Sequence, residues 1–429
     1  MSFNKSIAQQ AWMIAPDTVR VMEALDAQKD MARFVGGCVR DSLVNRDVID
    51  IDIATPYKPD EVIEKLKAAK INYVPTGLKH GTVTAIVDGK PFEITTLRID
   101  VNHFGRHADV AFTDDWGKDA ARRDFTINAM SANMDGQIFD PYNGVEHLRT
   151  GSVVFVGEPE ERIREDILRI LRYFRCYAHF GQGVPDANAL KACAKMASQL
   201  HRLSGERIRR ETFKLLESDR CGLVWKIMLR ASVVTHFLPE ATNADALMRL
   251  VTLEQGQQNK AYILRRLAAL LDVTRDGLIS VAKALKLSNE QAYTLSTLAL
   301  PVQPVDMNML DHEVKQLVYR TDNDTARSLL LLSSARTGNK EGLERLYQLA
   351  TSFKPPRFPV IGDDVIKLGW KQGPEVGKIL NELSEWWMMK DFVPGRTECL
   401  QKLQDDYGSP APSPEKKGTP VWITGGRKE

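Results

Sequence analysis

The sequence predicts an α+β head followed by an all-helical remainder, and three observations predict it. Four short apolar runs, RFVGG, DIDIA, GTVTAIV and FEITTL, fall in the first third with the length and alternation of strands, and a helical pattern from about Pro59 to Lys70 lies among them. The strand signal fades after Phe139. From Glu158 onward nearly every segment shows helical spacing, with Pro and Gly punctuating it. This change places the main boundary near Gly151, giving a head over 1–150. The helical part divides into 151–245, 246–353 and, after the KPPRFP linker (Lys354–Pro359), 354–405. Residues 406–429, rich in Pro, Gly and charge, are expected to be a disordered tail.

At 429 residues the chain has length for several compact units and a sizeable core. Its net charge of +2 excludes a globally basic nucleic-acid binder, so any such contact must come from local clusters. The five cysteines are scattered and form no CxxC pair, which argues against a zinc ribbon or disulfide framework and for a reducing compartment. The first residues lack a signal-peptide pattern and no apolar run reaches membrane-spanning length. A cytoplasmic location, with no membrane association and no protein partner, is the expectation.

The stretch FVGGCVRDSLVNRDVIDIDIAT carries the first chemistry. On a strand Asp50 and Asp52 share one face while Ile51 and Ile53 turn to the other. Two close carboxylates repel, and a divalent cation resolves the repulsion; hard oxygen donors few in number suit Mg²⁺, which completes its shell with substrate phosphates. An exposed edge strand with two solvated acids fits the same pair. The Gly36-Gly37 turn before a helix start adds a place where backbone N–H groups approach a phosphate without a Cβ in the way. It matches neither the Walker pattern nor GxGxxG. Glu93, in PFEITTL, offers a third carboxylate.

ARRDFTINAM places Arg122, Arg123, Asp124 and Asn128 near the start of an expected helix, where the arginines suit a triphosphate and Asp124 a ribose hydroxyl. A helix with merely solvated charges is the plainer alternative. EPEERIREDILRILRYFRCYAHFG reads as one helix, with Pro159 in its first turn and Gly181 at its stop. Ile163, Ile167, Ile170, Phe174 and Tyr177 form its apolar stripe. Asp166 and Arg169, three apart, then share a face and present an acceptor beside a donor. Cytosine and adenine each offer an amino donor beside a ring-nitrogen acceptor, whereas guanine and uracil offer the reverse. Glu165 would hold Arg169 as its i,i+4 partner, and Arg172 and Arg175 continue the basic run. An intrahelical salt-bridge network explains the same residues without any ligand.

FVGGCVRD, DIDIAT, RRDFTINAM, DPYNGVEHL, EDILRILRYFR and LSGERIRRE follow one another from Phe34 to Glu211. Together they resemble the class II tRNA nucleotidyltransferase (CCA-adding enzyme) and bacterial poly(A) polymerase family, within the polymerase-beta-type superfamily. The resemblance implies a polymerase-beta-like head followed by helical neck, body and tail. It also implies Mg²⁺ on Asp50 and Asp52, a nucleotide at Gly37 and Arg40, beside the Gly36 of the same turn, and its phosphate and sugar at Arg123 and Asp124. Asp166 and Arg169 would serve as a protein template for the base, assisted by Arg172 and Arg175.

PTGLKHGTVT and GRHADVAFTDDWGKDAARRD look like the CCA-adding branch, the second lying where that branch keeps a flexible loop used in switching from C to A. VIGDDVIKLGWKQGPEVGKIL resembles the tail that cradles tRNA, with Lys367, Lys371 and Lys378 as phosphate contacts; a solvated helix face is the alternative. The partners implied are the tRNA 3′ end, CTP and ATP. His147 and Asn45 depart from the family pattern, where an acid and a glycine are usual. None of the eight histidines precedes an Asp, so an HD phosphohydrolase module is not expected. A poly(A) polymerase is the nearest rival, and a catalytically silent RNA-binding scaffold the rival from another class.

Overall fold

A computed structural model describes residues 6–7, 10–104, 107–256 and 262–408, and for 100–110 its backbone only. The strands are β1 (Arg33–Val35), β2 (Asp52–Thr55), β3 (Asn72–Gly77), β4 (Thr82–Val87), β5 (Lys90–Thr96), β6 (Arg98–Phe104), β7 (His107–Phe112), β8 (Ser131–Ala132) and β9 (Ile138–Phe139). Seven form one mixed sheet in the order β3-β4-β5-β2-β1-β8-β9, and β6 and β7 pair as a separate antiparallel hairpin. The expected α+β head and helical remainder are both present, the last described strand ending at Phe139.

Alternation decides which way each strand faces. In β4 the side chains of Val83, Ala85 and Val87 are buried while Thr82, Thr84 and Ile86 are only partly so. The helix Pro59–Ala68 covers the sheet with Val62 and Leu66, and the helix Pro16–Ala24 with Val21 and Met22, all four almost fully buried. β2 and β5 run parallel, and their register sets Asp52 beside Glu93. Side chains in register on neighbouring strands lie on one face, so residues far apart in sequence converge there.

Several strands were not visible in the sequence. β3 has no alternation, since only Tyr73 and Gly77 are even partly buried, and it contains Pro75. β8 and β9 are two residues each. Of the stretch expected to be a flexible loop, Gly105 and Arg106 lie outside the described residues, while most of the rest forms β7 and the helix Trp116–Ala121. Most of the expected disordered tail, 409–429, also lies outside them. Asn45 adopts φ 53°, a left-handed conformation that explains why glycine suits this position and why asparagine substitutes with little strain.

The largest correction concerns the helix read from Pro159 to Gly181. It is two helices, Pro159–Glu165 and Arg169–Phe180, separated at Asp166, whose φ −148° and ψ 109° are extended. Asp166 Oδ1 accepts from the Leu168 N–H at 3.1 Å and starts the second helix. The expected stripe survives, with Ile163, Ile170, Phe174 and Tyr177 buried and Ile167 partly so.

The chain divides into two compact units, Met1–Val302 with Leu331–Asn339, and Gln303–Leu330 with Lys340–Glu429. The second has its own core, in which Val365, Ile379, Leu383, Trp387, Cys399 and Leu403 meet. Trp387 is buried there and donates its indole N–H to the Pro394 carbonyl at 2.9 Å, while Trp386 only flanks the cluster. All five cysteines are free and buried. Among the described residues no helix is long and apolar enough to cross a membrane.

Candidate active site

β1 delivers the chain to Gly36 at φ 71°, a conformation that L side chains rarely adopt. A Cβ there would also stand 3.2 Å from Arg123 Nη1. The following helix, Gly37–Leu43, carries Arg40, which donates to both carboxylate oxygens of Asp41 at 2.9 Å and to Asn128 Oδ1 at 2.6 Å.

The two aspartates do not share a strand as expected. β2 begins at Asp52, and Asp50 lies in the segment leading to it. The alternation nevertheless holds: Asp50 is exposed and Asp52 half-buried, whereas Ile51 and Ile53 are buried. Burial, then the neighbouring charge of Glu93, push the Asp52 carboxyl up to about 6, against the pull of Arg123 and Arg40; Asp50 adds to the rise. Such crowding is what a bound divalent cation offsets, so Asp50 and Asp52 fit a Mg²⁺ site. Among the described residues no three His, Cys, Asp or Glu side chains gather closely enough to hold an ion alone. A cation here would therefore draw part of its shell from phosphate or water, the habit of Mg²⁺.

Arg122–Asp124 also departs from expectation, because no helix starts there. The helix Trp116–Ala121 has already ended, and a single 3₁₀ turn, Thr126–Asn128, follows. Asp124 is set by strand-like bonds, Thr126 N–H to Val154 O at 3.0 Å and Val156 N–H to Asp124 O at 3.1 Å, and by Phe125 packing on Phe155. Its Oδ1 accepts from the Phe125 N–H at 2.9 Å and Asn128 Nδ2 at 3.0 Å, and its Oδ2 from Arg172 Nε at 2.7 Å and also from Arg172 Nη2. These fill the carboxylate's acceptor positions, so a ribose hydroxyl reaches Asp124 only by exchanging with one of them. Burial would raise this carboxyl, yet the Arg172 charge and the Asn128 amide bring it down to about 2.

Asp166 accepts both contacts of Arg207 Nη2, at 3.1 Å and 2.8 Å. The Glu165–Arg169 pair expected from spacing is present, and Arg169 also donates to the carbonyls of Arg162 at 2.8 Å and Arg122 at 3.2 Å. Arg169 is thus tied to the Arg122–Asp124 segment as well as to its own turn.

These groups line one cavity of about 740 Å³, within the size range of small-molecule sites. Of the residues singled out in the sequence, its wall holds Gly36, Gly37, Arg40, Asp50, Asp52, Arg122, Arg123, Asp124, Asn128, Asp166, Arg169, Arg172 and Arg175. Asp166 and Arg169 share it although they do not share one helix. Glu165 stands behind Arg169, and Glu93 beside Asp52, outside the wall. Lys367, Lys371 and Lys378 are exposed residues of the second unit.

Sequence reasoning assigned no role to the helix Gly205–Leu216, which adds Arg207, Arg210, Glu211 and Lys214 to the wall. Their offsets of three, four and seven residues were a readable signal for one polar helix face. Asp119 was missed as well. Almost fully buried, it accepts from Arg122 Nε at 2.8 Å and Arg123 Nη2 at 3.0 Å, and those two charges overcome burial to lower its pKa.

Comparison with known proteins shows the family. Residues 32–154 match the poly(A) polymerase head domain and residues 185–245 a probable RNA and SrmB-binding site of polymerase A, so the head is of the poly(A) polymerase type. The chain is 35% identical to the mitochondrial CCA tRNA nucleotidyltransferase 1 of Mus musculus over 87% of this chain and 86% of that one. It is 30% identical to the CCA-adding enzyme of Limosilactobacillus reuteri (strain DSM 20016), over 90% and 95% respectively. The chain belongs to the CCA tRNA nucleotidyltransferase (CCA-adding enzyme) family. The solved Bacillus stearothermophilus CCA-adding enzyme in complex with CTP aligns with a TM-score of 0.74 at 26% identity, over 91% of this chain and 98% of that one.

Proposed function

We propose that this chain builds or repairs the 3′-terminal CCA of tRNA from CTP and ATP, releasing pyrophosphate. One observation carries the reading: a carboxylate pair, an arginine-lined wall and the Asp166–Arg169 acceptor–donor pair face a single nucleotide-sized cavity. Bound at Asp50 and Asp52, Mg²⁺ would supply the charge that activates the primer 3′-hydroxyl and steadies the departing pyrophosphate. Glu93 keeps the electrostatic pressure on Asp52 that favours a cation. Gly36 and Gly37 give the triphosphate close backbone approach, and Arg40 and Arg123 neutralise it. Asp166 accepts the amino group of cytosine or adenine and Arg169 donates to the neighbouring ring nitrogen, so guanine and uracil meet a mismatched edge. Lys367, Lys371 and Lys378 are assigned to tRNA phosphates. Free buried cysteines suit a reducing cytoplasm, although the mouse relative is mitochondrial by name.

The test supplies a tRNA lacking CCA with CTP, ATP or both and resolves products by single nucleotides. Growth that halts after three residues supports the proposal. Long adenylate tails would indicate a poly(A) polymerase, and no extension with Mg²⁺ present would indicate a silent scaffold.

A further inference from the structure

The far end of the helix Arg169–Phe180 meets the head through a ring that the proposed reaction does not use. The Arg40 guanidinium carbon lies 4.2 Å from the Phe180 ring centroid, and that of Arg46 lies 4.6 Å from the same ring. Arg46 Nη2 also donates to the carbonyl of His179 at 2.8 Å. Arg40 is therefore held on its face by Phe180 and at its edge by Asp41 and Asn128. Two to three turns earlier, about 12 Å along the axis, the same helix is fastened to the head by Arg172 on Asp124. Asn128 joins the two fastenings, accepting from Arg40 and donating to Asp124.

We propose that Phe180 is a positioning residue for the nucleotide: its ring fixes the Arg40 guanidinium toward the cavity, so the base-selecting helix also sets the phosphate-binding side. An aliphatic side chain would fill the space but exert no pull on two cations. The negative face of an aromatic ring attracts both and offsets part of their mutual repulsion. The proposal rests on the reading that the cavity binds CTP and ATP.

The test compares Phe180→Leu and Phe180→Tyr in the full chain, reading nucleotide Kd without tRNA, KM and kcat with tRNA, and Tm. Phe180→Leu should raise Kd and KM for both nucleotides by about three- to tenfold, with kcat and Tm little changed. Phe180→Tyr, which keeps the ring, should restore both constants. Unchanged Kd in the folded leucine variant, or equal losses in both variants, would overturn the proposal. If the leucine variant does not fold, Phe180→Trp decides: equal or tighter Kd supports the ring's role, and weaker Kd at unchanged Tm refutes it. A wild-type chain that binds CTP and ATP yet extends no tRNA would refute the proposed function while leaving the ring's effect on Kd to be measured.

Discussion

Asp52 and Asp124 show how environment gives one residue type two opposite tasks. The Asp52 carboxyl titrates near 6, above its unfolded value, so the metal-free fold loses stability as pH rises through that window. Asp52→Asn should therefore raise Tm in chelator above pH 6, leave it unchanged below pH 4, abolish turnover and spare tRNA affinity. A Tm difference that is flat with pH would count against this electrostatic account. Asp124 behaves in reverse. Its folded value of about 2 lies below the unfolded one, so its stabilisation is complete above about pH 4 and lost as pH falls through 2. Asp124→Asn should cost on the order of 2 kcal/mol at neutral pH, with the difference from wild type shrinking in acid denaturation. At this scale the sequence was informative: most of the residues it singled out line the cavity. It left Asp119 and Phe180 unread because their roles depend on partners whose positions only the fold supplies.

Among the elements, the interrupted helix matters most. Glu165 to Arg172 contains no glycine or proline, and local preference alone favours a continuous helix. The break is held instead by contacts from elsewhere, above all Arg207 on Asp166, from a helix some forty residues on. No periodicity in the segment encodes that partner. Asp166→Ala or Arg169→Ala should relax base choice by about one to two orders of magnitude, measured as kcat/KM for GTP and UTP against CTP and ATP. Unchanged discrimination in both variants would remove the template role. In the sheet, β4 and β5 were legible through alternation, whereas the exposed β3 and the two-residue β8 and β9 carry too little burial to leave a pattern.

The whole molecule separates its duties between two compact units, one holding the cavity and the other its own tryptophan-centred core. Trp387→Ala should cost that second unit about 3–5 kcal/mol while leaving CTP affinity unchanged, seen as a lower calorimetric transition beside an intact nucleotide titration. Loss of CTP binding in that variant would show that the units do not stand apart thermodynamically. Legibility at this scale was coarse: the switch from strands to helices could be read, because it depends on local pattern, but the grouping into units could not, because it depends on distant packing. The cavity wall is also assembled from residues spread between Gly36 and Lys214. On the ribosome the acid pair thus emerges long before the arginines of its last wall. On the function proposed above, a nascent chain would acquire the acids assigned to the metal first and the Asp166–Arg169 pair assigned to base choice later, so a fragment released between them would lack that pair even if its sheet had formed.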